Sequence, residues 1–138
     1  MGTFTSIEEA RAFFKGDRFA TDNGMQIDAL SEDSCICSME LEPKHRNALG
    51  GVMGGVTFTL ADFAFAVIQN HVHKYSVAQQ VNINYLSAPK GNRLIATAKV
   101  RKNGRTSTIV NVDVVDDTGR DIAQFTGIGY KLPAEKQQ

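Results

Sequence analysis

Ser6-Ile7-Glu8-Glu9 opens with a helix-start signature, and Ile7, Ala10, Phe13 and Phe14 then recur at helical spacing, which predicts a short amphipathic helix through Lys15. Met25 to Leu30 and Cys35 to Leu41 read as two strands separated by the polar turn Ser31-Glu32-Asp33-Ser34, a hairpin. A polar loop from Pro43 to Gly51 leads into Val52 to Gln69, a run that is apolar on nearly every side. Its length and its leading Gly54-Gly55 favour the buried centre of a domain over a membrane span. After His71 to Lys74 come four alternating segments rich in β-branched residues: Val77 to Leu86, Leu94 to Arg101, Thr106 to Asp116 and Asp121 to Leu132. The turn sequences Pro89-Lys90-Gly91-Asn92, Lys102-Asn103-Gly104-Arg105 and Asp117-Thr118-Gly119-Arg120 divide them. Pro133 to Gln138 reads as a polar tail. The expected fold is α+β: a curved antiparallel sheet of about six strands wrapped around one long central helix, with a short N-terminal helix.

Composition narrows the function classes. Residues 1–138 are expected to form a single domain with one core, since a chain of this length buries about two-thirds of its unfolded surface without metals or staples. Fifteen basic residues balance fifteen acidic ones, so the basic field that would neutralise several phosphates is missing and nucleic acid is not an expected partner. Cys35 and Cys37 alternate on one strand face, which reads as two buried free thiols in a reducing compartment. No apolar run reaches the roughly 18 residues of a membrane span, and the N-terminus lacks a secretory pattern, so the expected location is cytoplasmic with no membrane partner. Met1-Gly2-Thr3-Phe4-Thr5-Ser6 satisfies only the loose myristoylation pattern.

Asp62 is the sole charged residue between Arg46 and Lys74, in mid-helix among Leu60, Ala61, Phe63, Ala64 and Phe65. A carboxylate in such a setting is either used or paired, because burying a bare charge is expensive. Gly54-Gly55 at the helix start lets another group approach the backbone, and the first free N–H groups of a helix suit the oxygen of a carbonyl under attack. Together they suggest acyl transfer. Gly54 and Asp62 lie eight residues apart, about 12 Å along a helix, so one helix cannot bring both to one carbonyl. Two antiparallel copies related by a dimer twofold would, which makes a composite site at a subunit interface the expectation.

The stretch from His45-Arg46-Asn47 through Gly50-Gly51-Val52-Met53-Gly54-Gly55 to Thr59-Leu60-Ala61-Asp62 resembles the signature of hotdog-fold thioesterases of the PaaI type. That signature reads H-x-N, then G-x-x-H-G-G, then T-L-x-D. Asn84-Tyr85-Leu86-Ser87-Ala88-Pro89 and Asn103-Gly104-Arg105-Thr106 resemble further motifs of that family. The resemblance implies paired subunits, dimers that associate into tetramers, and hydrolysis of an acyl or aryl-acyl coenzyme A thioester, with coenzyme A as part of the substrate and no further cofactor or metal. It places Asp62 on the catalytic carboxylate, Gly54 on the N–H that polarises the carbonyl, and Asn47 on the side chain that orients the nucleophile or water. Gly55 and Met53 fall at the substrate, and Lys90, Arg105 and Thr106 are candidates for the coenzyme A phosphates. Met53 stands where the family has His, and a thioether neither donates a hydrogen bond nor shuttles a proton.

Rival readings are a non-catalytic acyl-CoA binding module and a hydroxyacyl thioester dehydratase; the missing histidine at position 53 argues against the latter. His45 reads as a loop hydrogen-bonder rather than a substitute for it. His71-Val72-His73 reads as exposed histidines rather than a metal pair.

Overall fold

A computed structural model describes residues 2–133. The expected tail beyond Pro133, and Met1 of the myristoylation pattern, lie outside the described residues. The order of elements is α1 (Ile7–Phe14), α2 (Arg18–Asp22), β1 (Gln26–Leu30), β2 (Ser34–Glu40), a 3-10 turn (Pro43–His45), α3 (Gly54–Val72), β3 (Ser76–Tyr85), β4 (Arg93–Asn103), β5 (Ser107–Asp116) and β6 (Asp121–Lys131). The strands form one antiparallel sheet in the order β1-β2-β4-β5-β6-β3.

The sequence explains most of these boundaries. Ser6 caps α1 by accepting from Glu9 N at 3.1 Å, and Ala10 and Phe14 turn inward as the periodicity requires. α2 is absent from the sequence reading: it is five residues long, with an exposed Arg18–Asp22 ion pair and one buried residue, Ala20. The central helix begins at Gly54, two residues later than the apolar run, because Met53 keeps an extended backbone.

Alternation along the strands puts Cys35, Cys37 and Met39 of β2, Leu94, Ala96 and Ala98 of β4, Val110, Val112 and Val114 of β5 and Phe125 of β6 on the concave face, against Leu60, Ala61, Ala64, Phe65 and Ile68 of α3. Both thiols are buried and free, as expected, and Cys35 Sγ donates to the Ala64 carbonyl at 3.3 Å. Register shifts at Ala78/Gln80, Val100/Lys102 and Val114/Val115 bend the sheet around the helix. The helix approaches closely over β6: a Cβ at Gly127 would sit 2.8 Å from the Phe65 ring, and one at Gly129 only 1.9 Å from Gln69 Oε1. Among the described residues no helix is long and apolar enough to cross a membrane.

Two consequences bear on the site. β3 follows the central helix in the chain but lies at the far edge of the sheet, ten residues long, with Val77 45% and Tyr85 55% exposed. The sheet also leaves one stripe of α3 incompletely covered, Gly55, Thr59, Asp62 and Ala66.

Candidate active site

Asp62 is half-buried rather than sealed in the core, which corrects the expectation of a carboxylate enclosed by its own helix's apolar neighbours. The reason is phase: Leu60, Ala61, Ala64 and Phe65 face the sheet, while Asp62 falls on the open stripe. It lines a cavity of about 300 Å³ with Asp17, Phe19, Thr59, Phe63 and Ala66. A neighbouring cleft of about 460 Å³ is shared by Asp62, Asp17, Phe13, Gln69, Tyr75 and Ser76. Burial raises the Asp62 carboxyl above the ordinary range, and the negative charge of Asp17 adds to the effect.

Gly54 and Asn47 occupy a different cleft, of about 420 Å³, with Thr57, Tyr85, Pro89 and Ile122 among its walls. Gly54 is the first residue of α3, so its N–H has no acceptor within the helix. Tyr85 Oη donates to the Gly54 carbonyl at 3.0 Å, and a Cβ at position 54 would lie 3.2 Å from the Tyr85 ring, so the glycine makes room for the aromatic. Asn47 Oδ1 accepts from Leu49 N at 3.0 Å and Gly51 N at 3.1 Å, which leaves the amide hydrogens as what Asn47 can offer outward. Met53 is 54% exposed at the helix N-cap, and its methyl group would meet a Cβ on Gly55 at 3.4 Å.

The structure thus brings Asn47 and Gly54 to one cleft, with Met53 and Gly55 flanking Gly54 in the chain, and keeps Asp62 in other clefts, as the helix rise requires. Lys90 belongs to the first group's end of the molecule, because its loop supplies Ala88 and Pro89 to that cleft. Arg105 and Thr106 lie at the opposite end of β4, about 33 Å away for eleven extended residues. There Thr106 O accepts from Lys131 N at 2.9 Å, and Lys131 pairs with Ser76 at the start of β3. Lys90 and Arg105 therefore cannot grip one phosphate group of a ligand bound to a single subunit.

Of the three histidines, one matches its sequence reading and two do not. His45 is buried; its Nδ1 accepts from Glu42 N at 2.9 Å, so Nε2 carries the proton toward Asn23 Oδ1 at 3.2 Å. Burial, and then Lys44, hold it below the usual histidine range, which makes it the expected loop hydrogen-bonder. His71 overturns the expectation of an exposed histidine: it is buried, stacked on Phe4 at 5.7 Å, and its Nδ1 accepts from Phe4 N at 3.3 Å. His73 is half-buried and donates to Leu132 O at 3.2 Å. Tyr85 and Asp17, which the sequence reading did not single out, stand at the two sites; the aromatic of the Asn84-Tyr85-Leu86 motif was the available signal for the first, and nothing marked the second.

A family model for the thioesterase superfamily matches residues 49–123. Acyl-coenzyme A thioesterase PaaI of Escherichia coli is 28% identical over 126 residues, covering 91% of this chain and 90% of that protein. Acyl-coenzyme A thioesterase 13 of Mus musculus is 35% identical over 100 residues, covering 70% of this chain and 71% of the relative. The solved structure of the E. coli PaaI protein from the phenylacetic acid degradation operon superposes with a TM-score of 0.85 at 27% identity, covering 90% and 91% of the two chains. With a six-stranded antiparallel sheet curved around one long helix, the chain belongs to the thioesterase superfamily and has the hotdog fold of the PaaI type.

Proposed function

We propose that the protein is a cytoplasmic, single-domain homodimer, assembling further as a dimer of dimers, that hydrolyses acyl or aryl-acyl coenzyme A to the free acid and coenzyme A. Asp62 of one subunit drives attack on the thioester carbonyl, as nucleophile or through water. The partner's Gly54 N–H holds the developing oxyanion, and the partner's Asn47 amide orients the attacking group. Met53 and Gly55 border the acyl group, and no metal or redox cofactor takes part.

The observation that carries this reading is the division of the candidate groups between two clefts at different points of one helix. The outer edge of β3, unpaired among the described residues, supports the assembly that would rejoin them. An antiparallel pairing of two β3 edges sets Ser76 of one subunit toward Tyr85 of the other. That brings Asp62, Arg105 and Thr106 from one chain to the side of Asn47, Gly54 and Lys90 from its partner. The two basic positions that lie too far apart within a subunit then fall on one substrate, one on each side of the interface, with their charges available to its phosphates.

Co-expression of Asn47→Ala and Asp62→Asn chains tests it. Each homodimer lacks one half of both sites, whereas a mixed dimer carries one intact site, so random association restores about a quarter of wild-type thiol release. Activity that stays at the level of the separate variants contradicts a shared site.

A further inference from the structure

We propose that Asp17 is a positioning residue for this hydrolysis: it forms a carboxylate pair with Asp62 across the α2–α3 clefts and governs when Asp62 is free to attack. The proposal rests on the thioesterase reading for its consequence, but on independent geometry for the pair itself.

Asp17 stands at the N-cap of α2, where an aspartate ordinarily accepts from the first backbone N–H groups of the helix, yet its side chain makes no capping bond. Instead Asp17 lines both clefts that Asp62 lines, the one walled by Phe19, Ala20, Thr59 and Phe63 and the one walled by Phe13, Gln69, Tyr75 and Ser76. Within the subunit the cations near the pair are few and mostly engaged elsewhere: Lys15, two residues before Asp17, is exposed and lines the neighbouring cavity with Phe14 and Phe63. Arg18 is the cation on α2, and it is committed to Asp22 through Nε at 3.3 Å and Nη2 at 3.2 Å. The segment before β3 contributes Tyr75 and Lys74, and the Lys74 ammonium sits 4.6 Å above Phe13 and 5.2 Å above Tyr75. On α1, Arg11 is turned to Ile27 O at 2.9 Å and toward Glu8, while on α3 the nearest other ionisable side chain along the sequence is His71, further along the helix and buried against Phe4. The stretch of β3 that reaches the cleft, Ser76 to Ala78, carries no charge.

Asp17 is exposed at the rim and Asp62 is half-buried, and two like charges that share a cleft resist ionising together, which is the coupling the proposal requires. Burial raises the Asp17 carboxyl, as it does that of Asp62. While Asp17 is charged it holds the proton on Asp62 to higher pH, and only ionised Asp62 attacks.

The test has a substrate-free arm and a kinetic arm. Carbon-detected NMR titration of aspartate-labelled wild-type protein, Asp17→Asn and Asp17→Glu reads Asp62 directly. The expected result is a coupled, two-step titration of Asp17 and Asp62 in wild type, a single Asp62 midpoint displaced to lower pH in D17N, and wild-type behaviour in D17E. Independent single-step curves in wild type, or an unmoved Asp62 in D17N, overturn the pair. In the kinetic arm, kcat/KM for butyryl-CoA and phenylacetyl-CoA is followed against pH. The ratio of D17N to wild type should rise as pH falls, the acid limb moving down, and D17E should restore it. Coupled titration with no turnover of either thioester by wild-type protein leaves the pair standing and overturns its catalytic role.

Discussion

Tyr85 at the end of β3 donates to the carbonyl oxygen of Gly54, the first residue of α3, at 3.0 Å. The bond spans 31 residues of chain and fastens the helix start to the sheet edge. Removing only the hydroxyl in Tyr85→Phe keeps the ring that packs on Gly54 and loses one partly exposed hydrogen bond, worth about 1 kcal/mol. The melting temperature should fall by about 3 °C. kcat should fall more than KM rises, because the Gly54 N–H loses its aim in the transition state. Steady-state kinetics beside a thermal melt check this, and unchanged kcat would separate Tyr85 from the oxyanion site.

Asp62→Asn should lose at least about 10²-fold in hydrolysis, the usual contribution of a positioned base or nucleophile. It should nevertheless melt higher than wild type at neutral pH. Burial first, and Asp17 second, raise the Asp62 carboxyl in the folded state. A raised carboxyl favours the fold below the ordinary carboxylate range and loses that contribution as pH rises through the folded midpoint. The gap between variant and wild type therefore opens above that midpoint and closes below about pH 4. Thermal melts at pH 7 and at pH 3.5 decide it, and a D62N protein less stable than wild type at pH 7 would refute the account.

Met53→His returns a hydrogen-bond donor to an exposed N-cap position next to Gly54, where nothing buried has to move. The expected outcome is a rate equal to or above that of wild type, with a new limb near the histidine range in the pH profile. Total loss of hydrolysis would show that the thioether itself is required.

Asp116 is 1% exposed, and its Oδ2 accepts from Lys90 N at 2.8 Å and Gly91 N at 3.0 Å, while Oδ1 accepts from Thr118 N and Arg120 N at 3.0 and 3.1 Å. Its carboxyl is held well below the usual range by the Thr118 hydroxyl and then by the Lys90, Gly91 and Arg120 N–H groups. In Asp116→Asn an NH2 group must face some of these donors, so the variant should lose stability and the amides of residues 90 and 91 should exchange faster with solvent. A lowered carboxyl contributes above the ordinary carboxylate range and loses that contribution as pH falls through it. The advantage of wild type should therefore be full at neutral pH and shrink below about pH 4. Hydrogen exchange across that pH range is the measurement, and protected amides in D116N would show that the loop stands without this clamp.

What the sequence made legible follows from local physics. Alternation marked the strands, and an all-round apolar helix opening on two glycines marked both the centre of the fold and the candidate oxyanion site. Helix rise alone separated Gly54 from Asp62. What it hid depends on contacts distant in the chain. Arg18 to Asp22 carries no periodicity, and its helix holds through one ion pair and the burial of Ala20. His71 is covered because Phe4 arrives from the other end of the chain to stack on it. The partial exposure of Asp62 depends on which side of α3 the curved sheet leaves open, and the distance between Lys90 and Arg105 depends on β4 being straight enough to hold them at opposite ends.

The glycines of β6 carry a consequence for the neighbouring stripe of the central helix. The Phe65 ring fills the volume that a side chain at 127 would take, and Gln69 does the same at 129. These two notches act as a key that fixes the azimuth of α3, as a flat on a shaft fixes a wheel. The direction in which Asp62 points is therefore decided in part by two glycines of β6 that line neither of its clefts, and drift at position 127 would steer the carboxylate without replacing any residue beside it.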